Sequence, residues 1–332
     1  MHILMFLAST GRGGAESLVV NLCNQLIQKH QVTVLCFEES EWIDKLNSGV
    51  ERVSIGRKKS RHNLLLYFRI ARSIKRINPD LLHAHGAKAA FILKKLEKKL
   101  SVPLVATKHN SRKGEVFNRI SHVVAVSGEV ASTIRHEVAV IYNGVNARLM
   151  PASELSANEF RILAVGRLDE IKGFDVLVAA MHKLPGDISL QIAGEGEKYD
   201  ALQKQIAELG LESRVSLLGY QGDIPPLMAD SHVVIISSHS EGFSLVLVES
   251  FFYANVLLST KVGGAEEVLP DALLFDHEQI ADKIKSVKDN YLHYKSLFTD
   301  CKLKYSEQFT VENMADNYER FYFNVLGVKS DD

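Results

Sequence analysis

Short apolar runs separated by longer stretches of helical periodicity constrain this chain more than any other feature. A buried strand followed by an amphipathic helix, repeated, closes as a parallel sheet with helices on both faces. In the first half the strand candidates are 2–8 (HILMFLA), 32–37 (VTVLCF), 80–83 (DLLH), 103–107 (PLVAT), 122–126 (HVVAV) and 138–141 (VAVI). Within Glu16–Lys29, Leu18, Val19, Leu22, Cys23 and Leu26 share one helical face. The pattern stops at 142–159 (YNGVNARLMPASELSANE), which lacks apolar periodicity and contains Pro151, and it restarts with FRILAV at 160–165. Further strands are expected at 188–193, 215–218, 232–236 and 256–259. A chain of 332 residues exceeds the roughly 250–300 at which single cores stop growing, so two α/β domains are expected, 1–150 and 151–310. The stripe of Val311, Met314, Ala315, Tyr318, Phe321, Tyr322 and Val325 predicts a last helix, about 311–328, expected to pack back on the first domain.

The apolar run Ile3–Ala8 is far shorter than the ~20 residues that span a bilayer, and no basic leader precedes it. It reads as a buried strand. A cytoplasmic protein is expected, at most peripherally bound to the inner face of a membrane. Cys23, Cys36 and Cys301 are an odd number without metal-ligand spacing, which suits free thiols in a reducing compartment. The net charge of −1 conceals an asymmetry: residues 1–150 hold 23 Lys and Arg against 11 Asp and Glu, a balance of +12. The remainder holds 16 against 29, a balance of −13. A field of that sign on the first half suits an anionic partner such as nucleic acid or a phospholipid surface.

Ligands of open α/β sheets bind beyond the carboxyl ends of the strands, so the loops there carry the chemistry. After the first strand comes Ser9-Thr10-Gly11-Arg12-Gly13-Gly14-Ala15-Glu16, whose glycines let backbone N–H groups approach an anion at the start of a helix. After FRILAV comes Gly166-Arg167-Leu168-Asp169-Glu170-Ile171-Lys172-Gly173. A guanidinium and an ammonium straddling a turn suit a diphosphate, one as a fork and one as a point charge. The stretch HSEGFSLVLVES at 239–250 has Glu241 and Glu249 around an apolar run that starts a helix near Ser244. Each such carboxylate needs a hydrogen-bonding partner, and sugar hydroxyls are suitable ones.

With these motifs in place, the sequence resembles the retaining glycosyltransferases of family 4. The resemblance rests on GGAE at 13–16, VGRLDEIKGFDVLVAA at 165–180, AGEGEKYDAL at 193–202 and EGFSLVLVE at 241–249. KHN at 108–110, AVS at 125–127, IYNGV at 141–145, LGY at 218–220 and VGGAEEV at 262–268 follow in order, so nearly the whole chain is covered. The resemblance implies the GT-B architecture, two Rossmann-like doubly wound α/β domains facing across a cleft. It implies transfer of a sugar from a nucleoside-diphosphate sugar, most commonly a UDP-sugar, to a glycan or lipid-linked acceptor in bacterial lipopolysaccharide or surface-polysaccharide synthesis. Glu249 would accept hydrogen bonds from the ribose, and Glu241 would contact the transferred sugar beside Phe243, Ser244 and Leu245. Arg167 and Lys172 would neutralise the diphosphate, with the Gly13–Gly14 loop closing over it. Gly166, Gly194 and Gly219 would belong to the donor site. His109 would lie near the anomeric centre, with no protein nucleophile implied.

No Asp-x-Asp motif occurs, so no metal is expected and no other cofactor beyond the nucleotide-sugar co-substrate; the two bases take the cation's place. The chain departs from the family pattern at Ser237, where proline is frequent, and at Ser244, where glycine is usual. It also departs at Asn146, where aspartate is frequent, and across Ser250–Val256. Glu16, His83 and His85 are acceptor-side candidates, the two histidines lining the cleft. Arg57-Lys58-Lys59-Ser60-Arg61-His62, then Leu64, Leu65, Leu66, Tyr67 and Phe68, suit an interfacial helix on anionic lipid as well as a core helix with a solvated basic face. No nucleic-acid partner is expected. Three other readings stay open: a dehydrogenase on a truncated glycine fingerprint with Glu38 as its acid, a GT-B epimerase, and a non-catalytic GT-B regulatory protein.

Overall fold

The computed structural model describes residues 1–60, 62–112, 114–150, 155 and 159–328. In chain order the elements begin with β1 (His2–Leu7), α1 (Gly14–Leu26), β2 (Gln31–Cys36), β3 (Glu51–Ser54), α2 (Leu64–Ile77), β4 (Leu81–His85) and α3 (Gly86–Leu100). There follow β5 (Leu104–Lys108), β6 (His122–Ala125), α4 (Gly128–Ser132) and β7 (Ala139–Val140). A second series runs β8 (Phe160–Val165), α5 (Phe174–Met181), β9 (Ile188–Ala193), α6 (Tyr199–Glu208), β10 (Val215–Gly219), α7 (Pro225–Ala229) and β11 (Val233–Ile236). It continues through α8 (Leu245–Tyr253), β12 (Leu257–Thr260), α9 (Ala265–Val268), β13 (Leu274–Phe275), α10 (Ile280–Asp289) and α11 (Tyr291–Tyr305), and α12 (Val311–Leu326) closes the chain.

These elements form two compact units, one of Met1–Asn146 with Gln308–Asp332 and one of Ala147–Glu307. Part of the expected linker 142–159, namely 151–154 and 156–158, lies outside the described residues. The seven-stranded sheet of the first unit has the order β3-β2-β1-β4-β5-β6-β7, all parallel. The six-stranded sheet of the second has the order β10-β9-β8-β11-β12-β13, also parallel throughout. Each sheet starts at an inner strand, winds outward to one edge and then crosses to the other side, the doubly wound order of a Rossmann-like fold. The crossing points lie between β1 and β4 and between β8 and β11.

In the first unit both sheet faces are covered. Leu18, Leu22 and Cys23 of α1 and Met314, Tyr318 and Tyr322 of α12 cover one face. Leu66, Ile70 and Ile74 of α2 and Ile92, Leu93 and Leu96 of α3 cover the other. Local chemistry sets the helix ends: Asn63 Oδ1 accepts from Leu66 N–H to start α2, and Thr310 accepts from Asn313 N–H to start α12. The two passages of chain that join this unit are stitched by a parallel bridge, with Val145 N–H donating to Phe309 O at 2.9 Å and Val311 N–H to Val145 O at 3.0 Å. A Cβ on Gly144 would overlap Thr310 O there, so glycine lets the strands approach.

Two strands escape the periodicity reading. In β3 (ERVS) only Val53 is buried, and β13 is two residues long within the short run ALLF, too little for a period to show. In two others the strand runs beyond the expected end. Pairing of Leu7 with His85 and of His85 with Thr107 extends β4 to His85, and β5 reaches Lys108. That extension carries polar groups into the buried sheet.

Candidate active site

In the second unit, β8 and β11 are neighbours whose chains depart to opposite sides of the sheet, which makes the crevice beyond their carboxyl ends the expected ligand position. The loop after β8 turns through Glu170–Lys172, started by Asp169, whose Oδ1 accepts from Ile171 N–H at 3.1 Å. Its other carboxylate oxygen accepts from Arg167 Nε at 2.7 Å. Holding Nε in this way fixes the guanidinium while its two Nη groups stay in solvent, since the Arg167 side chain is 69% exposed.

Lys172 turns the other way. Its stem runs over Gly166, where a Cβ would lie 3.0 Å from Lys172 Cε, and its Nζ donates to Glu241 Oε1 at 2.5 Å. Ser238 Oγ donates to the same oxygen at 2.7 Å. Ser237 Oγ donates to Lys172 O at 2.9 Å, so the loop after β11 holds both the backbone and the ammonium of the loop after β8. Both partners of the ion pair are mostly buried, which makes it stronger than an exposed pair and less screened by salt. Among the described residues, Glu241 Oε2 accepts no hydrogen bond and remains available to a ligand.

Ser244 caps α8, its Oγ accepting from Val246 N–H at 3.2 Å, and Phe243 is buried beneath the turn against Gly264. The first-turn amides of α8, including Leu245, are thus presented beside Glu241 at the positive end of a helix. One turn further on, burial pushes the carboxyl of Glu249 up to about 7, and among the described residues it makes no hydrogen bond or ion pair. A carboxyl in that state awaits donors. Gly166, Gly194 and Gly219 stand side by side at the ends of β8, β9 and β10: Gly166 N–H donates to Ala193 O at 3.0 Å and Gly194 N–H to Gly219 O at 2.8 Å. Gly194 (φ +151°) and Gly219 (φ +68°) occupy backbone regions that favour glycine, and a Cβ on Gly194 would also overlap Gly166 O.

The first unit carries its candidates at the matching crossing point. Gly13 precedes α1 in an extended conformation, and a Cβ there would lie 2.9 Å from Glu16 Oε2, so the carboxylate folds back over Gly13–Gly14. His85 Nδ1 and His109 Nε2 are 3.2 Å apart, their rings stacked at 5.4 Å. Burial holds His109 down to about 4 and His85 well below the usual imidazole range, so both are neutral near pH 7 and one ring donates to the other. His85 Nε2 is buried with no partner among the described residues.

His83 does not line a cleft, contrary to the expectation from sequence. Its side chain is fully buried, with Nε2 2.8 Å from Thr107 Oγ1 and Nδ1 2.7 Å from Tyr322 OH. Thr107 Oγ1 in turn lies 3.0 Å from Tyr318 OH. Burial lowers the His83 pKa to about 3, so this is a neutral network that ties α12 to β4 and β5. The inward register of β4, which pairs His83 with Met5, puts the ring under α12.

Sequence reasoning missed Asp169, Ser237 and Ser238, which orient the three charged groups. An aspartate ahead of a short helical turn is a capping signal that could have found Asp169, whereas Ser237 stands out only as a departure from proline and nothing local marks Ser238. Within the departure across Ser250–Val256 two replacements make internal bonds: Ser250 Oγ donates to Val246 O at 2.6 Å, and Asn255 Nδ2 donates to Ala229 O and Ser231 O, both at 3.0 Å. The three cysteines are free and buried. Among the described residues, no group of three or more His, Cys, Asp or Glu could hold a metal ion, and no helix is long and apolar enough to cross a membrane.

Comparison with known proteins places this geometry. The model of glycosyl transferases group 1 matches residues 146–298, and that of glycosyltransferase family 4 matches residues 12–149. The lipopolysaccharide core biosynthesis glycosyltransferase LpsE of Rhizobium meliloti is 26% identical over 277 residues, covering 78% of this chain and 79% of its own. A Campylobacter jejuni α-1,4-N-acetyl-D-galactosaminyltransferase acting on GalNAc-α-(1→4)-GalNAc-α-(1→3)-diNAcBac-PP-undecaprenol is 24% identical over 355 residues, covering 96% of this chain and 97% of its own. Among solved structures, Anabaena HepE in complex with UDP-glucose superposes with a TM-score of 0.87 at 23% identity, covering 98% of this chain and all of that one. That likeness establishes the fold, two Rossmann-like units of the GT-B class.

Proposed function

This chain belongs to the group 1, family 4 glycosyltransferases, and from that premise we propose that it transfers a hexosyl residue from a UDP-sugar to a lipid-linked glycan, with retention at the anomeric carbon and without a metal. One observation carries the reading. Two loops of the second unit's crossing point are joined through Lys172 and Glu241, and one turn into the helix that follows, burial raises the carboxyl of Glu249, which has no partner among the described residues.

Breaking a glycosyl–phosphate bond builds negative charge on the departing diphosphate and positive charge on the sugar ring. Lys172 Nζ and the two free Nη groups of Arg167 supply fixed positive charge to the leaving group, with the α8 amides as further donors. No reorganisation is needed at the moment of reaction, because Asp169 and Glu241 already hold the two bases. The open Oε2 of Glu241 takes hydroxyls of the transferred sugar, and Glu249 takes the ribose hydroxyls. The UDP and UDP-glucose complexes of HepE support a uridine donor. The lipopolysaccharide and undecaprenol-linked relatives support an acceptor of bacterial surface-glycan synthesis at the cytoplasmic face of a membrane.

The test is calorimetric binding of UDP, GDP and ADP, followed by turnover of the matching sugar nucleotides on undecaprenol-linked and lipopolysaccharide-core acceptors in EDTA. Anomeric proton couplings of the product read the stereochemistry. Turnover that falls on the order of 10²–10³ in Lys172→Ala and Glu241→Ala, with nucleotide still bound, supports the reading. Conversion of donor without acceptor indicates an epimerase, and tight nucleotide binding without turnover indicates a regulatory protein. Failure to bind any nucleoside diphosphate sinks the proposal.

A further inference from the structure

We propose that the outward face of α2 docks this protein on an anionic lipid bilayer. The inward face of α2, Leu66, Ile70 and Ile74, is spent in the core of the first unit. The opposite face opens with Leu64, Leu65 and Phe68, exposed by 84%, 54% and 63%. No packing inside the unit accounts for three large apolar side chains in solvent in the first two turns of one helix. Further along the same face, spaced by three and four residues, stand Arg69, Arg72, Lys75 and Arg76, all exposed.

The charge around this helix is concentrated to match. Residues 57–99 contain 13 of the 23 bases of residues 1–150 and only 2 of its 11 acids, Asp80 and Glu97. Lys58 and Lys59, exposed, precede the helix, and Lys95 of α3 lies over the rings of Phe91 and Tyr67 at 4.7 and 5.7 Å, so the neighbouring helix continues the basic rim. Apolar side chains that enter the acyl boundary, ringed by bases at headgroup level, are what an interfacial helix requires. A nucleic-acid duplex offers the same charge but nothing for Leu64, Leu65 and Phe68 to enter, which favours lipid. Docking goes beyond the transfer reaction and needs neither donor nor acceptor.

The experiment is co-sedimentation of the whole chain with vesicles of phosphatidylcholine alone and of phosphatidylcholine mixed with phosphatidylglycerol. Wild type is expected to bind the mixed vesicles, to release in high salt and to ignore neutral ones. Leu64→Ser/Leu65→Ser/Phe68→Ser removes no core contact and is expected to lower partitioning at least about tenfold, and Arg69→Glu/Arg72→Glu to do the same by charge. Circular dichroism and urea unfolding of the whole chain check that each variant is folded. Vesicle binding unchanged in both variants overturns the proposal. So does an absence of wild-type binding to the mixed vesicles, in which case tight duplex binding or a dimer that dissociates in the serine variant identifies what the face serves instead. A variant that leaves the vesicle yet still glycosylates a short water-soluble acceptor separates docking from the transfer reaction.

Discussion

Replacing Glu249 with glutamine asks whether the nucleotide site is kept ready at a cost in stability. Desolvation alone raises this carboxyl from 4.5 to about 7, with no protein donor to offset it. In the unfolded chain the group ionises at 4.5. Between these values the folded protein keeps a proton that the unfolded chain has released, so a rise in pH favours unfolding. The stabilising effect is therefore fully present below 4.5 and lost as pH passes about 7. A shift of about 2.5 units at 1.36 kcal/mol each gives about 3 kcal/mol. Glutamine keeps the shape without the charge, so Glu249→Gln is expected to be more stable than wild type above pH 7, by up to about 3 kcal/mol, and equal to it near pH 4.5. Urea unfolding midpoints of both proteins across this pH range measure the difference directly. Under the proposed function the same substitution is expected to weaken UDP binding by about ten- to a hundredfold, because the carboxylate assigned there to the ribose hydroxyls is gone. Parallel pH curves for the two proteins would refute the reasoning, since an ionisation that costs nothing is not a desolvated one.

Asp169→Asn should leave stability within about 1 kcal/mol, because the bonded guanidinium is solvent-exposed, yet lower kcat up to about 10²-fold by releasing Arg167 from its position; calorimetry and initial rates read the two effects. Tyr322→Phe should cost about 1–3 kcal/mol by stranding His83 Nδ1, with UDP affinity unchanged, as urea unfolding and titration will measure. Gly219→Ala meets no neighbour within 4 Å and should cost only about 1–2 kcal/mol for its left-handed backbone, whereas Gly194→Ala adds an overlap with Gly166 O and should fail to accumulate as folded protein. His83, His85 and His109 are all depressed, so the folded state binds fewer protons than the unfolded one. Their contribution to stability is present above about pH 6.5 and lost as pH falls towards 4, which acid unfolding of His83→Gln against wild type checks.

Part of the candidate site was legible because Glu241 and Glu249 bracket an apolar run, where a desolvated carboxylate needs a partner, and because Arg167 and Lys172 straddle a turn beyond a strand's carboxyl end. Asp169, Ser237 and Ser238 were passed over because small polar residues in loops are common, and only contact shows which of them orient something. His83 misled for the opposite reason. It sits two residues from His85, and in a strand neighbours at that spacing share a face, but depth along the strand decides that one lies under α12 and the other reaches towards the strand end.

Local pattern along the chain was enough to specify two parallel sheets, an interruption within 142–159 and isolated charges in the loops beyond the strands. Strand and helix periods, glycine at turns and isolated charges are local properties, and they survive without knowledge of what lies opposite. Only folding in three dimensions brings Lys172 to Glu241 across 69 positions of chain, leaves Glu249 without a partner among the described residues, and turns His83 to the service of the fold. Those outcomes depend on which groups share a desolvated volume. Desolvation and Coulomb energy follow distance in space, and no local pattern in the chain encodes that distance.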